Sequence, residues 1–273
     1  MDTNNETLAA RFFFKNCAVS IFTSGDLAIS RTIQPRPGDV IFDRNFIPAD
    51  SPSEFINAQC DFYRFLDATS TTNDSILKKL SAIGYMLCNK LPRGNWDYRA
   101  FICVNEEDGA CRNGKTVFSQ AIAHYCHPIF IQGPNFKDPF WLEPVTENAN
   151  LLIIDGLSAR TDFCQFFSMC PGDWHINRRF LDPLIIDREK APSVLLIADT
   201  SVDSLPKYLS FRRRFDILEF SSFFSAKNTI RDYLGHDMFY DWDTAQWHMF
   251  DNFMLYCVME YLRSCYKSKF VIK

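Results

Sequence analysis

The sequence predicts an α/β fold: a parallel sheet flanked by helices, with a small helical subdomain before it and a helical segment after it. Three observations carry this. Short apolar strands alternate with helical stretches between residues 98 and 225. Two of those strands, Leu151–Asp155 and Val194–Ile197, hold no polar residue before the Asp that ends the first, which requires burial on both faces. A turn bracketed by glycines lies between a strand and a helix.

The elements follow in order. Residues 1–50 are mixed, with a short strand at Cys17–Phe22 and a Pro/Gly loop at Gln34–Asp39; their role is not legible. Residues 51–97 form the helical subdomain. Ser51-Pro52-Ser53-Glu54 has the cap and first-turn acid of a helix start, running to about Asp67. Thr72-Asn73-Asp74 begins a second helix, with Ile76, Leu80, Ile83 and Leu87 on one face. Residues 98–225 are the α/β core. Its strands are Phe101–Val104, Ile129–Ile131, Leu151–Asp155, Val194–Ile197 and Phe215–Phe220, with helices at Lys115–Tyr125 and Thr161–Met169. Residues 226–273 are helical from about Asp243 to Cys265, and the stripe Trp247, Phe250, Met254, Cys257 and Tyr261 has the spacing of a core face.

Composition limits the function classes. The 273 residues carry a net charge of −4, so a basic footprint over the whole surface, as a passive DNA-coating protein needs, is absent. The 27 Phe predict an aromatic core. Ten Cys without a C-x-x-C pair, and a start without a charged-then-apolar leader, point to reduced thiols in the cytoplasm. His124, Cys126 and His127 have no second cluster at zinc spacing, so they read as a helix end. No apolar run is long enough to span a membrane.

Residues 109–116, Gly109-Ala110-Cys111-Arg112-Asn113-Gly114-Lys115-Thr116, match G-x-x-x-x-G-K-T, the P-loop. The spacing has a chemical reason. Backbone N–H groups wrap a phosphate, and glycines allow the close approach. Lys115 then reaches the β- and γ-phosphates, and Thr116 offers its hydroxyl to Mg²⁺. The ligands implied are ATP and Mg²⁺. Asp155, ending a buried strand, is the expected second metal residue. The acid that usually follows it is absent, since the next residue is Gly156.

The order of the P-loop, the strand ending at Asp155, the strand before Asp199 and the run Phe211-Arg212-Arg213-Arg214-Phe215-Asp216 resembles that of superfamily III helicases. More narrowly, Leu234-Gly235-His236, Tyr240-Asp241-Trp242-Asp243, Trp247 and Phe250-Asp251-Asn252-Phe253-Met254 resemble the helicase part of primase-helicases from phages and mobile elements of Bacteroides-type bacteria. The resemblance runs from about Ser53 to Leu262. It implies a AAA+-like P-loop NTPase fold and ATP-driven movement on single-stranded DNA. It further implies a homo-oligomer, usually a hexameric ring, a primase or other replication partner, and a place in the bacterial host's cytoplasm. It also implies an arginine acting on the neighbouring subunit's nucleotide, Arg213 first and Arg212 second, and a DNA-facing hairpin whose Arg178 and Arg179 contact phosphates.

Two positions depart from the family pattern: Gly156, and Asp199 where an Asn normally donates to the γ-phosphate or the attacking water. A carboxylate accepts only and repels phosphate unless protonated or metal-bound. Binding is expected to survive these changes better than turnover. The alternative to a helicase motor is therefore a catalytically weakened nucleotide-binding assembly or regulatory subunit. A P-loop kinase or small NTPase of another class fits the arginine run and the C-terminal block less well.

Overall fold

The computed structural model describes residues 7–50, 59–88, 91, 98–109, 112–170 and 172–266. In chain order the first elements are β1 (Leu8–Phe13), β2 (Ala18–Phe22), β3 (Leu27–Ser30), α1 (Asp61–Ala68) and α2 (Asn73–Leu87). Then come β4 (Ala100–Asn105), α3 (Lys115–Ala123), β5 (Pro128–Gln132), β6 (Leu151–Ser158), β7 (Trp174–Ile176) and β8 (Leu184–Ile186). The last are β9 (Ser193–Ser201), α4 (Leu209–Arg212), β10 (Phe215–Phe220), α5 (Ile230–Leu234) and α6 (Thr244–Glu260). The chain divides into two compact units, Met1–Leu91 with Asn228–Lys273, and Pro92–Lys227.

The second unit holds a five-stranded sheet in the order β10-β4-β9-β6-β5, every neighbouring pair parallel. All six residues of β4, the first four of β6 and the first six of β9 are buried. Successive side chains of a strand point to opposite faces, so both faces are covered. On one face Ile102, Val104, Leu152, Ile154 and Leu196 pack with Phe163, Phe166, Phe211 and Phe215. Phe118 of α3 meets Phe220 of β10 edge to face at 5.6 Å. The two strands that carry Asp155 and Asp199 are not both beside the P-loop strand β4. Only β9 is its neighbour on that side, and β6 lies one strand further out. The helix expected at Thr161–Met169 is a 3-10 segment, Phe163–Met169.

The first unit joins residues from both ends of the chain. Its antiparallel sheet, β1-β2-β3, has two strands beyond the one legible in the sequence. The helix start at Ser51–Glu54 lies outside the described residues, and α1 begins at Asp61. Thr72 caps α2 as expected, its hydroxyl accepting from the Ser75 amide at 3.1 Å. Asp243 caps α6 in the same way, and the helix continues from Tyr261 to Tyr266 as π-helical turns. The segments read separately as 51–97 and 226–273 meet here, with α2 packed along α6. Gly84 sets that approach: a Cβ there would lie 2.3 Å from the Cys257 carbonyl oxygen. The phenylalanines pack as expected, Phe62 against Phe65, Phe250 and Phe253.

Candidate functional site

The site gathers where strands of the second unit end, the usual ligand position in a parallel sheet. β4 ends at Asn105, and α3 begins at Lys115 after the connecting turn. Gly109, Arg112 and Gly114 in that turn are left-handed, with φ of 78°, 58° and 96°. Ala110 and Cys111 lie outside the described residues. The turn is tied inward by Asn113, whose amide donates to Asn105 Oδ1 at 3.0 Å and to the Phe220 carbonyl at 3.4 Å. Thr116 is exposed in the first turn of α3, where the helix end favours anions.

Lys115 is the centre of the arrangement. Its side chain is 5% exposed, and its ammonium donates to Asn105 Oδ1 and pairs with Asp199 Oδ1 at 3.1 Å. Asn105 is buried, whereas the Asp199 carboxylate is 73% exposed. The sequence alone does not single out Asn105, which ends β4. Its only signal is a polar residue ending an apolar strand.

Asp155 stands on β6, half-buried, and its carboxylate accepts from the Gly156 amide at 2.7 Å. Gly156 has φ 79°, and a Cβ there would lie 3.2 Å from the Gly133 amide nitrogen. An acidic side chain at this position would meet both a left-handed backbone and a neighbouring strand's end. Strand β6 continues past this point to Ser158, three residues beyond the Asp155 at which the sequence ended it.

The two arginines expected to act on a neighbour stand elsewhere. Arg212 and Arg213 are exposed, and neither side chain has a hydrogen-bond or ion-pair partner among the described residues. They precede Phe215, which pairs with Ala100 at the start of β4. The turn around Lys115 follows the other end of that strand, roughly 16 Å along a strand of this length. Arg214 is held locally, donating to the Ser210 carbonyl at 3.0 Å and lying over the Phe167 ring.

The expected hairpin is present as β7 and β8, paired antiparallel. Arg178 Nε donates to the Asp182 carbonyl at 2.8 Å and closes the loop. Arg179 lies between two carboxylates, Asp138 at 2.9 Å and Glu143 at 3.6 Å. At the tip Phe180 is fully exposed with φ 60°, and Leu181 is exposed beside it.

No family model matches the chain, and no curated protein matches it. Several solved structures are similar, and two of them align as follows. The apo A form of the NrS-1 C-terminal region aligns with TM-score 0.44 and 14% identity over 85% of this chain and 49% of that one. A JCV helicase bound to an acetamide compound aligns with TM-score 0.38 and 12% identity over 78% of this chain and 61% of that one. The chain thus spans about half the length of the first and less than two thirds of the second. No helix among the described residues is long and apolar enough to cross a membrane.

Proposed function

We propose that this chain binds ATP with Mg²⁺ and is the ATPase motor domain of a superfamily III-type replicative DNA helicase, working on single-stranded DNA as a ring of identical subunits. The observation that carries the reading is Lys115. Its ammonium is buried at a helix N-terminus, at the strand ends, behind a turn with left-handed glycines. The anion beside it is the exposed carboxylate of Asp199, in a position where a phosphate oxygen could take its place.

In this reading the backbone amides of 109–116 and the Lys115 ammonium bind the β- and γ-phosphates. Thr116 and Asp155 supply oxygen donors, the type that suits Mg²⁺. Bound there, Mg²⁺ would neutralise charge on the phosphates. Arg213, with Arg212 second, would serve a neighbouring subunit, because the length of β10 separates both from their own Lys115. The exposed hairpin tip suits unstacked bases, with Phe180 offering a ring face. Arg178 is the better placed of the two hairpin arginines for a DNA phosphate, since Arg179 already holds two carboxylates.

Lys115→Ala should weaken binding of a fluorescent ATP analogue by roughly tenfold to a hundredfold, the loss of a charge-assisted contact. Unchanged affinity would overturn the nucleotide reading. Arg213→Ala should retain binding and lose turnover, and mixing it with Lys115→Ala subunits should restore part of the rate. Mixed assemblies that form but stay inactive would remove the in-trans arginine.

A second reading, a nucleotide-binding assembly or regulatory subunit with weak hydrolysis, is favoured by two features. Gly156 leaves no acid beside Asp155, and Asp199 occupies the Lys115 ammonium. The ATPase rate of the oligomer, with and without single-stranded DNA, separates the two readings.

A further inference from the structure

We propose that Asp199 makes this site select the Mg²⁺ complex of the nucleotide over the metal-free form, by acting as the resting counter-ion of Lys115. The proposal rests on the nucleotide reading above and adds to it a residue that sets which ionic form is admitted.

The geometry begins with the strand register. Cys103 of β4 pairs with Ile197 of β9, but Asn105 pairs with Ser201, so two steps along β4 answer four along β9. Asp199 lies in the excess on the β4 side, while toward β6 it stays paired with Ser158. On its other side β6 also shifts register, between Ile154 and Leu157, the stretch that holds Asp155. Two carboxylates thus stand on irregular stretches of neighbouring strands. One faces the Lys115 ammonium at 3.1 Å.

The ammonium has an inner and an outer partner. Asn105 is buried, neutral and anchored by Asn113, so it holds Lys115 whether or not a ligand is present. Asp199 is 73% exposed and charged, and its side chain has water to turn into. A phosphate oxygen needing Lys115 competes with Asp199 and not with Asn105. Metal-free ATP brings only negative charge, so the carboxylate either stays and repels it or turns away with no new partner. Asp155 would supply an oxygen donor to Mg²⁺ arriving with the nucleotide, and the displaced Asp199 carboxylate on the neighbouring strand would then face a divalent positive charge instead of phosphate alone. The same exchange of partners that costs affinity without metal is compensated with it.

The test is the affinity of a fluorescent ATP analogue in excess EDTA and in excess Mg²⁺, for the whole chain. Asp199→Asn keeps the shape of an exposed side chain and removes the charge. It should tighten metal-free binding by roughly tenfold while changing Mg²⁺-supported binding little or weakening it, the size expected of one charge at a partly exposed site. Asp199→Ser, smaller and also neutral, should move the two affinities the same way. Both variants are compared with the native chain by thermal melting. If the EDTA and Mg²⁺ affinities keep their native ratio in both, the selection is not due to Asp199. If metal-free binding weakens in both, Asp199 supports phosphate rather than competing with it. Lys115→Ala runs alongside. Equal binding by Lys115→Ala and the native chain removes the nucleotide reading itself, whereas lost binding there with an unmoved Asp199→Asn removes only this inference.

Discussion

Arg44 in the first unit and Lys115 in the second are both cations placed against a carboxylate, and the two pairs do opposite things. Arg44 grips Asp251 through two bonds, at 2.8 and 2.5 Å, and Asp251 is fully buried. The rings of Phe42 and Trp247 lie 4.7 and 4.5 Å from the guanidinium. The carboxylate of that pair has no exposed surface to offer a ligand. Lys115 has a buried amide on one side and an exposed carboxylate on the other. A closed pair holds a fold together, whereas a pair open on one side can change partners. Asp61 follows the closed pattern, accepting from Trp242 Nε1 at 3.0 Å and sitting 2.6 Å from His236 Nε2. Lys79 does too, fully buried and donating to the Thr69 carbonyl and the Ser70 hydroxyl at 2.7 Å.

The largest effect expected from this contrast is on Asp251. Asp251→Ala removes a fully buried carboxylate and leaves the half-buried Arg44 without it, at a cost of up to about 3–5 kcal/mol. Urea unfolding followed by circular dichroism measures it. A loss under about 1 kcal/mol, the range of an exposed pair, would erase the distinction between the two regions. Thr72→Ala, which removes only the cap of α2, should cost about 1 kcal/mol in the same assay. Asp199→Asn should cost less than about 1 kcal/mol, because half of its pair is exposed. A larger loss would make Lys115–Asp199 a structural pair like Arg44–Asp251.

A contrast confined to high pH concerns thiols. Burial pushes Cys60 in the first unit and Cys170 in the second up to about 11. Cys164 is exposed, 3.2 Å from the Tyr208 hydroxyl. Among the described cysteines, Cys164 should take up a maleimide label first at neutral pH, as read by peptide mass spectrometry. The two buried thiols favour the protonated state in the fold more than in the unfolded chain. Their contribution to stability is thus fully present below the ordinary thiol range and is lost as pH rises through about 11. Stability unchanged between pH 8 and pH 11 would contradict the burial of both.

Some of this was readable in the chain because it is local. The apolar runs that became β4, β6 and β9, the glycines and lysine of the turn before α3, and the caps Thr72 and Asp243 each act within a few residues. Their signatures survive in the linear order. Other features were not readable. The place of β9 between β4 and β6 depends on which crossover buries both faces of each strand, and the strands' own residues carry no mark of it. Arg44 and Asp251 are 207 positions apart and meet only once both ends of the chain enter one unit. The sequence names Lys115 and Asp199 as candidates, yet only the folded sheet brings the two within 3.1 Å. Asn105 becomes part of the site only because β4 ends beneath the ammonium. Residue types determined which groups can bind phosphate. Long-range strand pairing decided which of them share one charge, because local patterns set how each segment folds and not which segments become neighbours.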